Sequence, residues 1–594
     1  MKRIRDISLV IIIILLMVVS FFNVKVNGTN IYSNYLPSKN LDTGLVYEPI
    51  LTLELNSLDD LDSDANSIVT SVILNIDKDI NVITSDNKYN FTEFFDEYIK
   101  GKYIPIVKLD SSNYKAFLSF WKSDYKILDL MILSSDIDII NHFYHDEDAY
   151  ILNSVYDMRD TILPNNRYDN WEYVSKCNKA GCNILMASVS DSNFTLFTEY
   201  VQAMTKVSWG YGNGTIDSVR AIACGAYGVV NTKTSYLKDT LKYFEKTGWN
   251  HAQYVAAHRG ITKYCNENSL TGCLAAYSEG ATHIEVDLQV LADGNIVLCH
   301  NSQTNFNSNK SGWYFVNVLT ENLKNAKLND YNINYDETYT TLDELTRAMI
   351  KTDVIMIIEL KFDNGSIKAV DDLKCIENFK RIMDAIPESY GHFYAITFFA
   401  PLAEKMKELM PEVPLGYIGG ARSGKETDLN EKAWNAGGGH KEMTDYGGKI
   451  RFLRHYNIGL DESYVYATSD GRYYSNITAS FYLARGYVQN TWTYEDTMHF
   501  AMKTSIATSN CAEEVAYLVK RIDDSSLSIT VDELNSGKVK VKTYSYNGWM
   551  EEKECEIIVI TKDSSSAFIM LYYYEDRCTT PYGLYSTLID VTIK

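Results

Sequence analysis

Two carboxylates and two histidines stand at or near the ends of apolar runs between residues 254 and 301. Glu285 and Asp287 are two positions apart in the run HIEVDL, so in a β-strand their side chains face the same side. His258 follows the run YVAA, and His300 follows the run IVLC. Carboxylate oxygens are preferred ligands of Ca²⁺ and Mg²⁺, and imidazoles exchange protons near neutral pH. The segment therefore predicts a divalent-cation site with proton-transfer groups beside it.

The elements that must position these residues are short strands that alternate with helices. Eight apolar runs alternate with helical patterns from residue 254 onward, and another eight do so between about 47 and 245. Such alternation is typical of a (β/α)₈ barrel, whose catalytic groups lie at the carboxyl ends of its strands. We predict an α/β protein with two tandem (β/α)₈ barrels, over residues 31–248 and 250–523.

The first barrel is predicted to be a degenerate copy of the second. Residues 91–110 align without gaps on residues 342–361 and match their apolar positions. Other positions are paired as follows: Asn75 with Glu285, Lys108 with Glu359, and Trp209 with Trp492. Because a lysine in place of a carboxylate would repel a divalent cation, we predict that the first barrel is non-catalytic. A chance match of two barrel strand patterns is the alternative to duplication.

The C-terminal segment differs from both barrels. Residues 525–594 alternate apolar and polar side chains and are rich in Val, Ile, Tyr and Thr. This pattern predicts a small antiparallel β domain, similar to a β-sandwich. Its exposed Tyr and Trp side chains could bind a glycan or a surface polymer, although a packing role is the favoured interpretation.

Net charge and the N-terminus bear on partners and location. The chain has a net charge of −21 and no basic stripe. Binding to a nucleic-acid phosphate backbone requires such a stripe, so nucleic acid is not an expected partner.

Residues 1–28 begin with Lys2, Arg3 and Arg5, continue with an apolar core, and end with small residues that could form a signal-peptide cleavage site. This pattern is typical of a secretory signal. We predict a secreted or cell-surface protein, with an uncleaved anchor as the alternative.

The cysteines favour disulfide bonds. Ten cysteines in an exported chain make such bonds the expected state. Their spacing suggests three pairs: Cys177 with Cys182, Cys265 with Cys273, and Cys555 with Cys578. The sequence has no Cys/His cluster with zinc spacing, so a structural role is the stronger interpretation.

Several motifs in the second barrel occur together in one order. They are HRG at 258–260, ENS at 267–269, GATHIEVDLQVLADGNIVLCH at 280–300 and IIELK at 357–361. This pattern resembles the glycerophosphodiester phosphodiesterase family over roughly residues 250–523. The resemblance implies a TIM-type barrel that uses one divalent cation, Ca²⁺ or Mg²⁺. It also implies hydrolysis of substrates such as glycerophosphocholine or glycerophosphoethanolamine to glycerol phosphate and an alcohol.

The resemblance also implies roles for individual residues. The metal ligands would be Glu285, Asp287 and Glu359; the acid–base pair His258 and His300; the substrate-binding residues Arg259, Lys361 and Trp492; and the supporting residues Glu267 and Asn301. Which histidine is the acid and which the base stays open. The alternative is that the carboxylates are structural and are balanced by Arg259 and Lys361.

Three features depart from the family pattern. The acidic residue that usually follows the second histidine is Asn301, and the proline of the ENS motif is replaced by Asn266. A long polar insertion, beginning SQTNFNSNKSGWYF, follows Asn301. These changes affect the expected substrate and rate more than the expected type of reaction.

Two other functions compete with this one. The same residues could support a phospholipase-D-like action on lysophospholipids or on a glycerol-phosphate wall polymer, with contact to a lipid or cell surface. Alternatively, the second barrel could have lost activity, which would leave a surface-binding protein. The sequence does not predict the oligomeric state.

Overall fold

The structure is a computed structural model, and it describes most of the chain after residue 48. The described residues are 49–122, 130–146, 153–245, 254–304, 312–328, 336–362, 374–418, 459–463, 482–494, 506–523, 525, 527–574 and 584–594. The predicted secretory signal over residues 1–28 lies outside them. Within the described part of the chain, no helix has both the length and the apolar character needed to cross a bilayer.

The first barrel is closed by eight parallel strands. This part of the chain contains the eight ring strands and two further short strands, β3 and β4. In chain order the strands are β1 Ile50–Glu54, β2 Ser71–Asn75, β3 Asn81–Ile83, β4 Lys88–Asn90, β5 Ile104–Lys108, β6 Met131–Ser134, β7 Ser154–Met158, β8 Ile184–Ser188, β9 Val207–Tyr211 and β10 Gly228–Asn231. The ring runs β1-β10-β9-β8-β7-β6-β5-β2, and β3 and β4 form a separate hairpin. The ring strands are almost wholly buried, as expected for parallel strands that are covered on both faces.

Helices surround this ring. They are α1 Ser63–Ile68, α2 Phe91–Phe94, α3 Tyr114–Lys122, α4 Ile137–His145, α5 Trp171–Ala180, α6 Phe194–Ala203, α7 Thr215–Ala223 and α8 Thr234–Phe244. Polar caps start several of them. For example, the Asp62 side chain accepts a hydrogen bond from the Ala65 N–H at the beginning of α1.

The second barrel also contains a ring of eight parallel strands. Its strands are β11 Val255–His258, β12 His283–Val290, β13 Ile296–Leu298, β14 Ile355–Leu360, β15 Phe393–Thr397, β16 Leu415–Ile418, β17 Gly459–Ser463, β18 Gln489–Tyr494 and β19 Ala507–Ser509. The order is β11-β19-β18-β17-β16-β15-β14-β12, and the pairing of β11 with β12 closes the ring. Strand β13 pairs antiparallel with the end of β12. The predicted α/β class and its eight-stranded parallel barrels are thus confirmed.

Helices of the second barrel follow the same alternation. They are α9 Leu270–Ser278, α10 Thr320–Leu323, α11 Leu342–Met349, α12 Lys374–Asp384, α13 Ala400–Leu409 and α14 Ala512–Leu518. A reciprocal capping box between Thr341 and Glu344 starts α11, directly before the strand that carries Glu359.

The two barrels meet through the amino-terminal ends of their strands. The Asn153 side-chain amide, before β7, donates to the carbonyl of Arg485, before β18, at 2.8 Å. The Tyr200 hydroxyl donates to the carbonyl of Gly391, before β15, at 2.9 Å. Asn153, Arg485 and Gly391 precede strands, and Tyr200 lies near the end of α6, before β9. Both contacts therefore lie on the amino-terminal side of each barrel, and the carboxyl-terminal rims of the two barrels face away from each other. The rim that carries Glu285 and its neighbours is therefore not covered by the first barrel.

Strand pairing shows which residues of the two barrels correspond. Lys108 on β5 stands opposite Asn75 on β2, and Glu359 on β14 stands opposite Asp287 on β12. If Lys108 matches Glu359, Asn75 corresponds to Asp287 and not to Glu285. The predicted match of Asn75 with Glu285 is therefore wrong by two residues. A slip of two keeps every side chain on its own face, so the apolar pattern could not reveal it.

The matched tryptophans also need correction. Trp209 is fully buried, whereas Trp492 is partly exposed at the rim. Following the pairings from the first strand of each barrel places Gly210 at the position of Thr491, so Trp209 falls at Asn490 and not at Trp492.

Ion pairs occupy the carboxyl-terminal rim of the first barrel. The Glu54 carboxylate lies 3.2 Å from the Lys108 ammonium and 2.7 Å from the Arg159 guanidinium. Arg159 also pairs with Asp157 at 2.9 Å and stacks over the Tyr211 ring at 4.1 Å. The rim that holds carboxylates in the second barrel thus holds internally paired charges in the first.

The C-terminal segment forms one sheet. Its elements are β20 Lys520–Ile522, β21 Ser528–Ile529, α15 Val531–Ser536, β22 Lys538–Ser545, β23 Met550–Lys562, β24 Ser566–Tyr574 and β25 Leu584–Ile593. The order is β20-β22-β23-β24-β25-β21, and only the β21–β25 pairing is parallel. Phe568 and Met570 join the core of the first barrel, and the Arg220 guanidinium stacks over Phe568 at 4.0 Å. Where a β-sandwich was expected, the described strands form a single sheet packed on the first barrel.

The expected disulfides are not formed among the described cysteines. Cys177, Cys182, Cys265 and Cys273 are all buried free thiols. The Cys182 thiol lies 3.0 Å from the carbonyl oxygen of Ser154 and donates to it, and Cys273 packs in the core of the second barrel. Neither predicted bridge is formed in the structure: the Cys177 and Cys182 thiols lie within hydrogen-bonding reach of each other as free thiols, and Cys273 is a small core side chain. Cys555 is also free, and its predicted partner Cys578 lies outside the described residues.

Candidate active site

Three carboxylates converge at the rim of the second barrel. Glu285 and Asp287 lie on β12, and Glu359 lies on β14 directly opposite Asp287. Oxygens from the three side chains lie within 4.8 Å of one another. The three residues are 3%, 0% and 8% exposed, so their charges are largely removed from water. Such a cluster needs compensating positive charge.

The protonation behaviour of the cluster reflects this crowding. Burial, together with the Asp287 and Glu359 carboxylates, holds the pKa of Glu285 well above its usual range. Burial and Asp287 raise the pKa of Glu359 to about 8. The pKa of Asp287 is lowered, because Arg259 and Lys361 outweigh the effect of burial. The two cations therefore offset only part of the negative charge that three ionised carboxylates would carry.

The oxygens of the cluster fit a divalent cation. Among the described residues, the buried Glu285 Oε1 has no hydrogen-bond partner. Asp287 Oδ1 and Glu359 Oε1 lack well-aligned hydrogen bonds, and each has the Lys361 ammonium nearby, at 3.6 and 2.8 Å. Carboxylate oxygens with this spare capacity are the donors that Ca²⁺ and Mg²⁺ prefer. The donor set is thus suited to one such ion.

Arg259 is held in place by backbone and side-chain contacts. It adopts a left-handed backbone conformation with φ of 59°, and its N–H donates to the carbonyl of Glu285 at 3.0 Å. The guanidinium lies 3.0 Å from Glu267 and 3.1 Å from Asp287. Arg259 therefore supports the carboxylates and also lines the cleft above them.

The two histidines open onto the same cleft. His258 pairs in register with Glu285, and its Nε2 lies 3.9 Å from Glu285 Oε2. His300 has its Nδ1 3.1 Å from the side-chain oxygen of Asn301. Burial and the Arg259 guanidinium lower the pKa of His258 to about 4, and burial also lowers the pKa of His300. Both shifts favour the neutral form of the imidazole.

One wall of the cleft is aromatic. The rings of Phe398 and Trp492 meet edge to face, with centroids 5.9 Å apart, and the Lys361 ammonium lies 5.4 Å from the Phe398 ring centre. The cleft has a volume of about 120 Å³ and is partly open to solvent. Its charged floor and apolar wall suit a small ligand that has a phosphate at one end.

Two asparagines that the sequence analysis did not select belong to the site. Asn268 donates to the Asp287 carboxylate at 2.9 Å and accepts from the Asp287 N–H at 2.9 Å. It stands in the ENS motif, so its neighbour Glu267 could have drawn attention to it. Asn510 lies 2.6 Å from His258 and comes from the last strand of the barrel, 252 residues further along the chain. No local pattern marks it.

The structure brings the selected residues together around one cleft. Lining it are His258, Arg259, Glu285, His300, Glu359, Lys361 and Trp492. Asp287 lies beneath, Glu267 holds Arg259, and Asn301 contacts His300. Their chemical roles remain predictions.

Comparisons with known proteins agree with this arrangement. Residues 258–444 match the glycerophosphoryl diester phosphodiesterase family. A glycerophosphodiester phosphodiesterase of Caldanaerobacter subterraneus is 26% identical over 171 residues, which cover 28% of this chain and 65% of that protein. A putative glycerophosphodiester phosphodiesterase of Bacillus subtilis is 25% identical over 167 residues, with the same shares covered.

Solved structures of the family are also similar. An Oleispira antarctica phosphodiesterase in complex with the product sn-glycerol-3-phosphate is 19% identical, with a TM-score of 0.34, and the match covers 44% of this chain and 94% of that one. A glycerophosphodiester phosphodiesterase from Parabacteroides distasonis is 19% identical, with a TM-score of 0.33 over the same shares.

The sequence comparisons support a phosphoric diester hydrolase as the class of the second barrel. Residues 258–444 match the glycerophosphoryl diester phosphodiesterase family, so the resemblance drawn from the motifs is confirmed. Each curated relative is matched over only 65% of its length.

Proposed function

We propose that the second barrel hydrolyses glycerophosphodiesters to glycerol phosphate and an alcohol such as choline, ethanolamine or glycerol. One observation carries this proposal: three buried carboxylates, two imidazoles and two cationic side chains open onto one cleft. The family match over residues 258–444 supports the same reaction.

Glu285, Asp287 and Glu359 would hold one divalent cation, Ca²⁺ or Mg²⁺. The unpartnered Oε1 of Glu285 and the close spacing of the three carboxylates support this assignment. When bound, the cation would supply positive charge that polarises the phosphate and favours attack at phosphorus. Asn268 keeps Asp287 oriented, since it bonds both the carboxylate and the backbone N–H of that residue.

Arg259 and Lys361 offset the charge of the phosphate. Both side chains line the cleft, and both are already anchored to carboxylates beneath it. An anchored cation needs little reorganisation as negative charge develops on the phosphate oxygens. Trp492 and Phe398 form the apolar wall against which the carbon part of the substrate packs.

His258 and His300 move the protons. One imidazole takes a proton from the attacking water as the new oxygen–phosphorus bond forms. The other gives a proton to the leaving alkoxide as the old phosphorus–oxygen bond breaks. Both rings line the cleft, and His258 Nε2 is directed toward the carboxylate cluster, which places it near the attacked phosphate.

The first barrel is proposed to be non-catalytic. Asn75 and Lys108 take the places of Asp287 and Glu359, so two metal-binding carboxylates are missing. Two carboxylates, Glu54 and Asp157, balance the charges of Lys108 and Arg159 at this rim. The first barrel then serves as a scaffold for the second and for the C-terminal sheet.

Export of the protein is a further part of the proposal. It depends on the signal-like pattern of residues 1–28 and predicts a secreted or surface-held enzyme that meets its substrates outside the cell.

The test is a hydrolysis assay with the purified full chain. Glycerophosphocholine and glycerophosphoethanolamine are supplied with Ca²⁺ or Mg²⁺, and release of the alcohol is measured. We expect turnover that a chelator abolishes and that Glu285→Gln lowers by at least about 100-fold. Glu54→Gln is the matched control, because Glu54 is equally buried, at 5% against 3%, but lies in the first barrel.

Two results would contradict the proposal. A wild-type chain that is inert with every divalent cation would favour the surface-binding alternative. Loss of activity in Glu54→Gln, with Glu285→Gln still active, would move the chemistry to the first barrel.

A further inference from the structure

Asn510 lies at the site although it falls outside the family match over residues 258–444. Strand β19 pairs with β11 in parallel, with Ser509 opposite Ala257. Asn510 directly follows β19, and His258 is the last residue of β11. The two side chains therefore lie at the same level of the barrel. The Asn510 N–H donates to the carbonyl of Tyr494 at 2.9 Å, which anchors its backbone to the neighbouring strand.

The contact between Asn510 and His258 determines where the imidazole carries its proton. The two atoms that meet are Asn510 Oδ1 and His258 Nδ1, at 2.6 Å. An amide oxygen only accepts hydrogen bonds, so Nδ1 must be the protonated ring nitrogen. In a neutral imidazole the other nitrogen, Nε2, then has a free lone pair. That nitrogen lies 3.9 Å from Glu285 Oε2 and faces the cleft.

The other tautomer would be unfavourable. With the proton on Nε2, two acceptors would face each other at 2.6 Å inside the barrel rim. The same oxygen also sets the ring plane, because a short hydrogen bond is directional. His300 has a comparable partner in Asn301, but there the amide is its sequence neighbour and the distance is 3.1 Å.

We propose that Asn510 is a positioning residue that holds His258 in the Nδ1–H tautomer, with Nε2 directed at the substrate as a proton acceptor. An amide does this without adding a negative charge beside the three carboxylates. The link to catalysis rests on the proposed phosphodiesterase function, whereas the tautomer does not.

The tautomer is tested directly by NMR. The full chain is labelled with ring-¹⁵N histidine, and the His258 signals are assigned from their absence in His258→Gln. We expect the wild-type pattern to show a protonated Nδ1 and an unprotonated Nε2. In Asn510→Ala, this pattern should change to a mixture or to the Nε2–H form. A wild-type ring protonated at Nε2, or a pattern unchanged in Asn510→Ala, overturns the proposal.

Kinetics test the consequence for catalysis. Asn510→Ala should lower kcat about 10- to 100-fold with a smaller change in KM, as is usual when the partner of a site imidazole is lost. Asn510→Asp keeps an acceptor at this place, so it should restore the Nδ1–H tautomer and most of the rate. A rate that falls in Asn510→Ala without any change of tautomer contradicts the proposal.

A matched control separates positioning from folding. Asn490 is a buried asparagine on the neighbouring strand β18, and its oxygen accepts from the Ile506 N–H at 3.2 Å without touching an imidazole. Asn490→Ala should leave the His258 ¹⁵N pattern unchanged even if it lowers the melting temperature. If the wild type does not hydrolyse glycerophosphodiesters at all, the proposed function fails, but the NMR result still decides the role of Asn510.

Discussion

Asp287 and Glu359 face each other across the pairing of β12 and β14, and the Lys361 ammonium lies 3.6 Å from an oxygen of the first and 2.8 Å from an oxygen of the second. Two buried carboxylates at this spacing repel each other unless a cation lies between or beside them. Lys361 provides that charge before any metal ion binds, and a bound ion would share the task.

Removing Lys361 should therefore make the fold depend on a metal ion. We expect Lys361→Met to lower the free energy of unfolding by about 3 kcal/mol in a chelator, because it removes the cation beside Glu359 and leaves Asp287 with Arg259 alone. Millimolar Ca²⁺ or Mg²⁺ should restore much of this loss. Thermal unfolding with and without the ion measures the effect. Equal losses in both conditions would contradict a cation site at these carboxylates.

The ion pairs of the first barrel should make the free energy of unfolding depend on pH in the acid range. Burial would raise the pKa of Glu54, but Arg159 and Lys108 outweigh it and hold that pKa below its usual value. A lowered carboxyl pKa stabilises the fold above the unfolded value near pH 4.5, and this contribution is lost as the pH falls through the folded value. Glu54→Gln should flatten that acid dependence. It should also cost about 3 kcal/mol at pH 7.

Urea unfolding at several pH values tests this prediction, and hydrolysis by the second barrel should stay within about twofold of wild type. An unchanged acid profile in Glu54→Gln would show that the network contributes nothing.

Lys206 should add a second rise in stability with pH, in the alkaline range. Its side chain is 2% exposed and donates to Asn183 at 2.6 Å, and burial lowers its pKa to about 8. The unfolded chain keeps this proton up to about pH 10.5, so between pH 8 and 10.5 the unfolded state binds more protons and stability rises with pH. The rise should be at most about 3 kcal/mol.

Lys206→Met should remove this alkaline rise, as measured by urea unfolding between pH 7 and 10. Lys242→Met is the control, because the Lys242 side chain is 62% exposed. If the alkaline rise in stability persists in Lys206→Met, another group causes it.

The aromatic wall should affect substrate recognition more than proton transfer. Trp492 packs edge to face on Phe398, beside the Lys361 ammonium. Trp492→Ala should lower kcat/KM for glycerophosphocholine about 10- to 100-fold, mainly through KM, because it removes apolar contact area from the bound state. Trp492→Phe should lose less than about tenfold. A purely kcat effect would instead indicate that Trp492 positions the reacting groups.

Much of the site could be predicted because the relevant residues are close in sequence or repeat with strand periodicity. Glu285 and Asp287 are two apart on one strand, so they had to share a face, and His258 had to follow the neighbouring strand. The motifs at 258–260, 280–300 and 357–361 are sufficient to recognise the family resemblance, and no interatomic distance is needed for it.

Other features depend on which strands pair and in what register. The match of Asn75 with Asp287, and the mismatch of Trp209 with Trp492, follow from hydrogen-bonded pairing; a two-residue slip in that pairing is invisible in the apolar pattern. The expected bridges Cys177–Cys182 and Cys265–Cys273 are not formed, and spacing along the chain does not predict whether two cysteines reach the sulfur–sulfur geometry that a disulfide bond needs.

The types of chemical group on the second barrel, and the strand faces that carry them, were predictable from local sequence because side-chain direction alternates along a strand. The contact of Asn510 with His258 across 252 residues, and the joining of the two barrels at their amino-terminal ends, became visible only in the folded chain. Such contacts arise when the ring of strands closes and the two barrels pack together. A local stretch of sequence carries no information about the distance between two residues that are far apart in the chain.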